Sequence, residues 1–261
     1  SYPQTETPEC HYAGPDLSQT PPYMGGAAQP SKPEKPKKTH KKGARVVALA
    51  LSCAIVGGAV GVAGLVLCII VSALHHNGFG LAGSIVFGVS MILLYTMSSV
   101  YHGLKPGLGK RVMQVFDHCT IYVLIAGTYT PLLLSAMRPI DPVAPSKKKR
   151  TGLVVGIAAA AVMALAAVGI AFTAIDLNKY KVFSMVCYMA IGWCIVFKLP
   201  LLIQAIGWGG FLLILGGGLL YTVGAVLYGK GRTKPFMHCV FHVFVILGSV
   251  CHILAILLFA L

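Results

Sequence analysis

Seven mostly apolar runs follow one another from residue 46 to residue 260: 46–74, 81–103, 112–135, 152–175, 182–206, 208–229 and 236–260. No other feature restricts the fold as far. About 20 apolar residues in helix cross the hydrocarbon core of a bilayer. Inside lipid the backbone must satisfy its own hydrogen bonds, which leaves helices and closed barrels. None of the runs alternates as barrel strands do. The connectors are short, so successive spans are expected to be antiparallel neighbours. The expectation is an all-α membrane protein, a bundle of seven transmembrane helices. Composition agrees: 56% of residues are hydrophobic and 11% charged, where soluble chains average about 25% charged. Gly57 and Gly61, at GxxxG spacing, suit close helix approach.

Residues 1–45 read differently. They are rich in Pro, Gly, Gln, Ser and Thr and finish in "KPEKPKKTHKKGAR", the pattern of a disordered tail with a polybasic juxtamembrane end. Residues 46–261 are then the membrane domain. The opening stretch is polar and the first apolar run exceeds a signal h-region of roughly 7–15 residues, so no secretory signal is expected; Ser1 is not Met, and a short preceding piece is expected. The net charge is +14. Its basic residues flank the spans, which points to anionic lipid headgroups as partners and away from nucleic acid. With the N-terminus in the cytoplasm and the C-terminus outside, inside segments carry 15 Lys and Arg against 5 outside, the sense of the positive-inside rule. The third loop opposes this, with Arg138 and "KKKR" at 147–150. Lys198, near the outer end of its span, is expected to snorkel outward. The expected location is an integral multi-pass position in the plasma membrane or an equivalent. Seven of eight cysteines fall inside apolar runs and no CxxC exists, so they read as small packing residues.

Polar side chains inside the spans are few and grouped. "SSVYH" ends the second run, "FDH" opens the third and "HCVFH" opens the seventh. In the expected topology all three share one depth, at the cytoplasmic ends of their helices. Ser98 and His102 are four apart, as are His238 and His242, so each pair shares a helix face. Two histidines at this spacing chelate an ion; a third from another helix leaves one position open, as in a catalytic zinc site. Ser98, His102, Asp117, His238 and His242 therefore form the candidate set, with Zn²⁺ as the expected metal. Asp117 has three open roles: direct ligand, partner orienting a histidine, or general base. Ser98 is placed to hydrogen-bond a water or a substrate carbonyl. His118 and His252 read as packing histidines, His75 and His76 as solvated loop residues. Cys119 and Cys239 point about 100° away from their neighbours in the set.

"SSVYHGL", "FDHCTIYVLIAGTYTPLLL", "GGGLLYTVGAVLYG" and "HCVFHVFVILGSVCHILA" resemble the haemolysin III family, within the progestin and adiponectin receptor (PAQR) superfamily. The likeness covers roughly residues 50–261. It implies seven helices, a cytoplasmic N-terminus, zinc ligands at His102, His238 and His242, and Asp117 and Ser98 near the metal-bound water. Many members carry Glu, Asn and His near the start of the first span; here "ARVVALALSCAIVGG" has none. The wider superfamily implies hydrolysis of a lipid amide, as in ceramidases. The expected function is thus a zinc-dependent membrane hydrolase of a lipid amide such as ceramide. The alternative is a receptor or membrane-state sensor with a structural zinc. A cytolytic role stands third, because polar residues lining a pore should recur along several spans.

Overall fold

The computed structural model describes residues 39–136, 145–230 and 237–261. Most of the expected N-terminal tail and of the third loop lies outside the described residues. Every described element is helical. The helices are α1 (Thr39–Leu74), α2 (Gly78–Gly103), α3 (Leu108–Pro131), α4 (Pro145–Ile175), α5 (Leu177–Trp193), α6 (Leu199–Lys230) and α7 (Met237–Phe259). A π-helical turn, Leu132–Ala136, continues α3, and a 3-10 turn, Cys194–Lys198, joins α5 to α6.

The boundaries have local causes. α1 begins at Thr39, ahead of the residue-45 limit expected for the tail. Lys and Arg are good helix formers, so the helix runs on past the apolar segment, which starts at Ala44. α4 likewise begins at Pro145, at the helix start where proline is favoured, so "KKKR" lies in the first turns of a helix and not in a loop. Asn77 caps α2, its side-chain oxygen accepting from the Gly80 amide at 2.8 Å. Pro131 has no N–H to give to the helix ladder, and the wider π turn follows directly after it.

Five described segments are long and apolar enough to cross a membrane: Ala44–Leu74, Gly78–Gly103, Leu108–Ala136, Val182–Gly229 and Cys239–Phe259. A shorter apolar helix, Ala160–Ile175, lies within α4. Val182–Gly229 spans 48 residues. Straight, it would measure roughly 72 Å, more than twice the hydrocarbon thickness of about 30 Å. It does not run straight. Gly207 has φ 66° and ψ 178°, a conformation open essentially to glycine alone. On either side the arms meet again: Trp193 Nε1 donates to Thr222 Oγ1 at 3.1 Å, and Met185 packs beside Gly229. Both pairs are close to equidistant from residue 207, so the chain folds back there. The seam between the fifth and sixth apolar runs fell at this residue in the sequence.

The helices close into a ring. α1 packs on α2 and on α7, α2 on α3, α3 on α4 and α5, and α6 on α7, while α5 and α6 touch more thinly. Gly83 lets α2 lie against α3; a Cβ there would sit 2.6 Å from Pro131 Cα. Gly57 and Gly61 face α2, where they meet Tyr95 and Ile92, as their spacing led us to expect. The outward face of α1 exposes Ile55, Val62, Val66 and Ile70, a surface suited to lipid.

Candidate functional site

The turn between α2 and α3 is the local device that brings the first site residues together. α2 ends at Gly103, and Lys105-Pro106-Gly107 cannot prolong it. Lys110 reaches back so that its Nζ donates to the Leu104 carbonyl at 2.9 Å, and it stands 5.1 Å from the Tyr101 ring centre. A cation suits the carbonyl end of a helix. His102 is thereby held at the last turn of α2, and Asp117 sits three turns into α3.

His242, from the second turn of α7, meets His102 across 140 positions of sequence. Their Nε2 atoms are 3.2 Å apart, and the rings are edge-on at 80°. Both residues are buried, at 7% and 5% exposure. Two ring nitrogens this close present either one N–H to a lone pair or two lone pairs to a shared cation. For bonds of 2.0–2.1 Å at tetrahedral angles the ligand–ligand edge is about 3.3 Å, and the observed separation matches it. His238 lies in the first turn of α7; its side chain is outside the described residues. Among the described residues no three His, Cys, Asp or Glu side chains form a complete metal-holding group.

Ser98 carries the other fitting feature. Its hydroxyl is the one buried side-chain oxygen or nitrogen among the described residues that meets no hydrogen-bond partner. It is close enough to interact with the Asp117 carboxylate, yet the geometry falls short of a hydrogen bond. Leaving a buried hydroxyl unsatisfied costs about 1–3 kcal/mol, and a ligand or water at this point would relieve it. Asp117 is half-buried, with Tyr101 and Tyr188 within electrostatic reach. No signal in the sequence separated these tyrosines from ordinary packing aromatics.

Ser98, Asp117 and His242 stand at one end of a cavity of about 280 Å³ enclosed by α2, α3, α5, α6 and α7. On α3 its wall runs from Asp117 to Leu132, roughly 22 Å of helix. Most of the wall is Leu, Ile, Met and aromatic side chain. Further along lies a polar group of which the sequence reading singled out only His252, as a packing residue: Tyr95, Tyr221, Ser249 and His252.

The remaining polar candidates fall where expected. His118 bonds through Nδ1 to the Gln114 carbonyl at 2.9 Å, and Tyr188 donates to the His118 carbonyl at 3.0 Å. His75 and His76 are exposed at the α1–α2 turn. Cys239 points its Sγ at the Val46 carbonyl of α1, and Cys119 turns toward Ile170 of α4. The seven described cysteines are free thiols.

Comparison with known proteins identifies the family of the chain. The model of the haemolysin-III-related family matches residues 52–253. Hemolysin-3 of Bacillus cereus is 32% identical over 206 residues, 79% of this chain and 88% of that protein. The Hemolysin-3 homolog of Bacillus subtilis (strain 168) is 32% identical over 204 residues, covering 78% and 89%. The monocyte to macrophage differentiation factor of Homo sapiens is 26% identical over 179 residues, 66% of this chain and 67% of that one. The chain is an integral multi-pass membrane protein and belongs to the haemolysin III family, within the PAQR superfamily.

Proposed function

We propose that this protein is a zinc-dependent hydrolase of a lipid amide, working inside the membrane from one end of its central cavity. The observation that carries the reading is the His102–His242 pair, 3.2 Å apart at Nε2 and drawn from two helices distant in sequence. His238, one turn from His242 on the same face of α7, would be the third ligand. Bound there, zinc would supply a Lewis acid and acidify a water to a pKa of about 7.

The protein's own groups supply the remaining steps. The cavity wall takes the acyl chain and excludes bulk water. The Ser98 hydroxyl donates a hydrogen bond to the substrate carbonyl oxygen. Asp117 accepts a proton from the attacking water at a carboxylate oxygen. It returns that proton to the nitrogen as the C–N bond breaks, so the products are a fatty acid and an amine. Membrane lipids are the surroundings, and the basic N-terminal tail is proposed to meet anionic headgroups.

The topology that suits this reading has seven spans, with the two arms of the Gly207 hairpin counted separately and α4 as the remaining span. The N-terminus is then cytoplasmic and the C-terminus outside, in a plasma membrane or its equivalent. A pore is the weaker reading, despite the name of the bacterial relatives, because a wall of mainly apolar side chains suits no aqueous channel.

The test is turnover of a fluorescent ceramide by purified protein, with chelator and after zinc is restored. We expect hydrolysis lost on chelation and regained with zinc. We also expect about one zinc per chain, absent when His238 and His242 are both changed to Ala. Zinc retained by that double variant would sink the site. Zinc present without hydrolysis of any ceramide or related amide would favour a receptor or sensor with structural zinc.

A further inference from the structure

The second polar group in the cavity has an internal arrangement that restricts what it can bind. Ser249 Oγ lies 3.0 Å from Tyr95 Oη, 3.0 Å from Tyr221 Oη and 3.0 Å from the Val245 carbonyl. A serine has one proton, and a carbonyl can only accept. The Ser249 proton therefore goes to Val245, one turn back, and both tyrosines donate to Ser249. His252 follows the same rule. Its Nδ1 lies 2.8 Å from the Gly248 carbonyl, so Nδ1 carries the proton and neutral Nε2 is an acceptor. The ring stacks on Tyr221 at 5.2 Å and 11°. Gly217 of α6 leaves room for the Nδ1 side of the ring; a Cβ there would collide with it. His252 is 6% exposed; among the described residues its Nε2 meets no hydrogen-bond partner, and it opens onto the cavity instead of being sealed off as Ser98 Oγ is. Tyr95, Tyr221 and His252 all line the cavity.

The cluster thus uses its donors inwardly and presents only acceptors to the cavity: two phenol oxygens and one imidazole nitrogen. An apolar chain passing them would leave an acceptor with 94% of its residue buried unsatisfied, at a cost. A hydrogen-bond donor would not.

We propose that Tyr95, Tyr221, Ser249 and His252 form a second recognition point, which takes a hydroxyl carried on the hydrocarbon chain of the lipid. It lies ten positions beyond His242 on α7, roughly 15 Å from the His102–His242 pair. The protein accordingly favours acyl chains hydroxylated at that distance from the reacting end. The inference rests on the cavity holding an acyl chain, as in the proposed function, but needs neither zinc nor turnover.

The test is displacement of a fluorescent fatty acid from the purified protein in nanodiscs. The competitors are a plain saturated fatty acid, a series of the same acid with one hydroxyl moved carbon by carbon, and the matching ketones. A net hydrogen bond gives about 3- to 10-fold in affinity. We expect that gain for hydroxyls at one or two adjacent positions, and none for ketones, which cannot donate. In His252→Phe, which keeps an aromatic ring on Tyr221, the preference should fall to parity. In Tyr221→Phe, which removes one acceptor, it should shrink. A flat positional profile, an equal gain from ketones, or a preference that survives His252→Phe would overturn the proposal. Should either variant fail to fold, the hydroxyl–ketone contrast on the unaltered protein still decides. If the plain acid binds without any hydroxyl preference, this proposal alone fails. If no fatty acid binds, the acyl-chain reading of the cavity fails with it.

Discussion

Asp117 is the residue whose role most divides the chemistry. It is half-buried beside the orphaned Ser98 hydroxyl, and among the described residues no three His, Cys, Asp or Glu side chains form a metal-holding group. Asp117→Asn keeps the shape and removes the charge. With three histidines left, zinc should stay, while hydrolysis falls by about 10²- to 10⁴-fold, the usual cost of losing a general base. Metal analysis beside ceramide turnover checks this; zinc lost along with the carboxylate would make Asp117 a ligand. At this scale the sequence was legible where polar residues are expensive. Histidines and an aspartate within apolar runs stand out, and helical spacing aligned Ser98 with His102. The Tyr95–Ser249–Tyr221–His252 group was not legible. Tyrosine and serine are ordinary in spans, and His252 has the look of a packing residue until Tyr221 and Gly217 are seen around it.

At the level of elements, helix contacts depend on single missing methyl groups. Gly83→Ala would place a carbon 2.6 Å from the Pro131 backbone, which cannot rotate away. Overpacking of this kind costs about 1–3 kcal/mol. Gly78→Ala, five residues earlier on α2 with open space around it, should be neutral or slightly stabilising, since Ala is the better helix former. Thermal unfolding in detergent should therefore separate the two, with Gly83→Ala lower; equal midpoints would mean that α2 and α3 do not approach as described. The apolar runs foretold an all-helical membrane chain, because length and hydropathy decide what crosses lipid. Yet five described segments rather than seven are long and apolar enough to cross, and the run 182–206 is divided among α5, the 3-10 turn and α6. The ends were less legible. α1 and α4 start earlier than hydropathy suggests, since a basic stretch is polar and yet helix-forming. The π turn after Pro131 depends on how one proline meets its neighbours.

For the molecule as a whole, charge placement is the guide. The tail and the Leu104–Gly107 turn should be cytoplasmic, because basic residues concentrate beside them. Single cysteines placed in the tail and in the His75–Asn77 turn of a variant lacking other cysteines should label from opposite sides of intact cells. Labelling of the tail from outside would reverse the topology. The closed ring of helices was not legible from the chain. Which helix touches which is settled by side-chain fit, and the α1–α7 contact joins segments at the two ends of the bundle. The central cavity follows from that closure, so no local pattern announced it.

The reversal at Gly207 also bears on how the protein is made. A usual pair of spans is joined by a polar loop, which has to be carried across the bilayer as the ribosome delivers the second span. Here one glycine does the joining, flanked by Ile206 and Trp208, so there is almost nothing hydrophilic to translocate. The insertion machinery would receive both arms as a single apolar hairpin and release them together. Their direction would be fixed from outside the pair, by Lys179 and Lys181 ahead of it and by Lys230, Arg232 and Lys234 behind it.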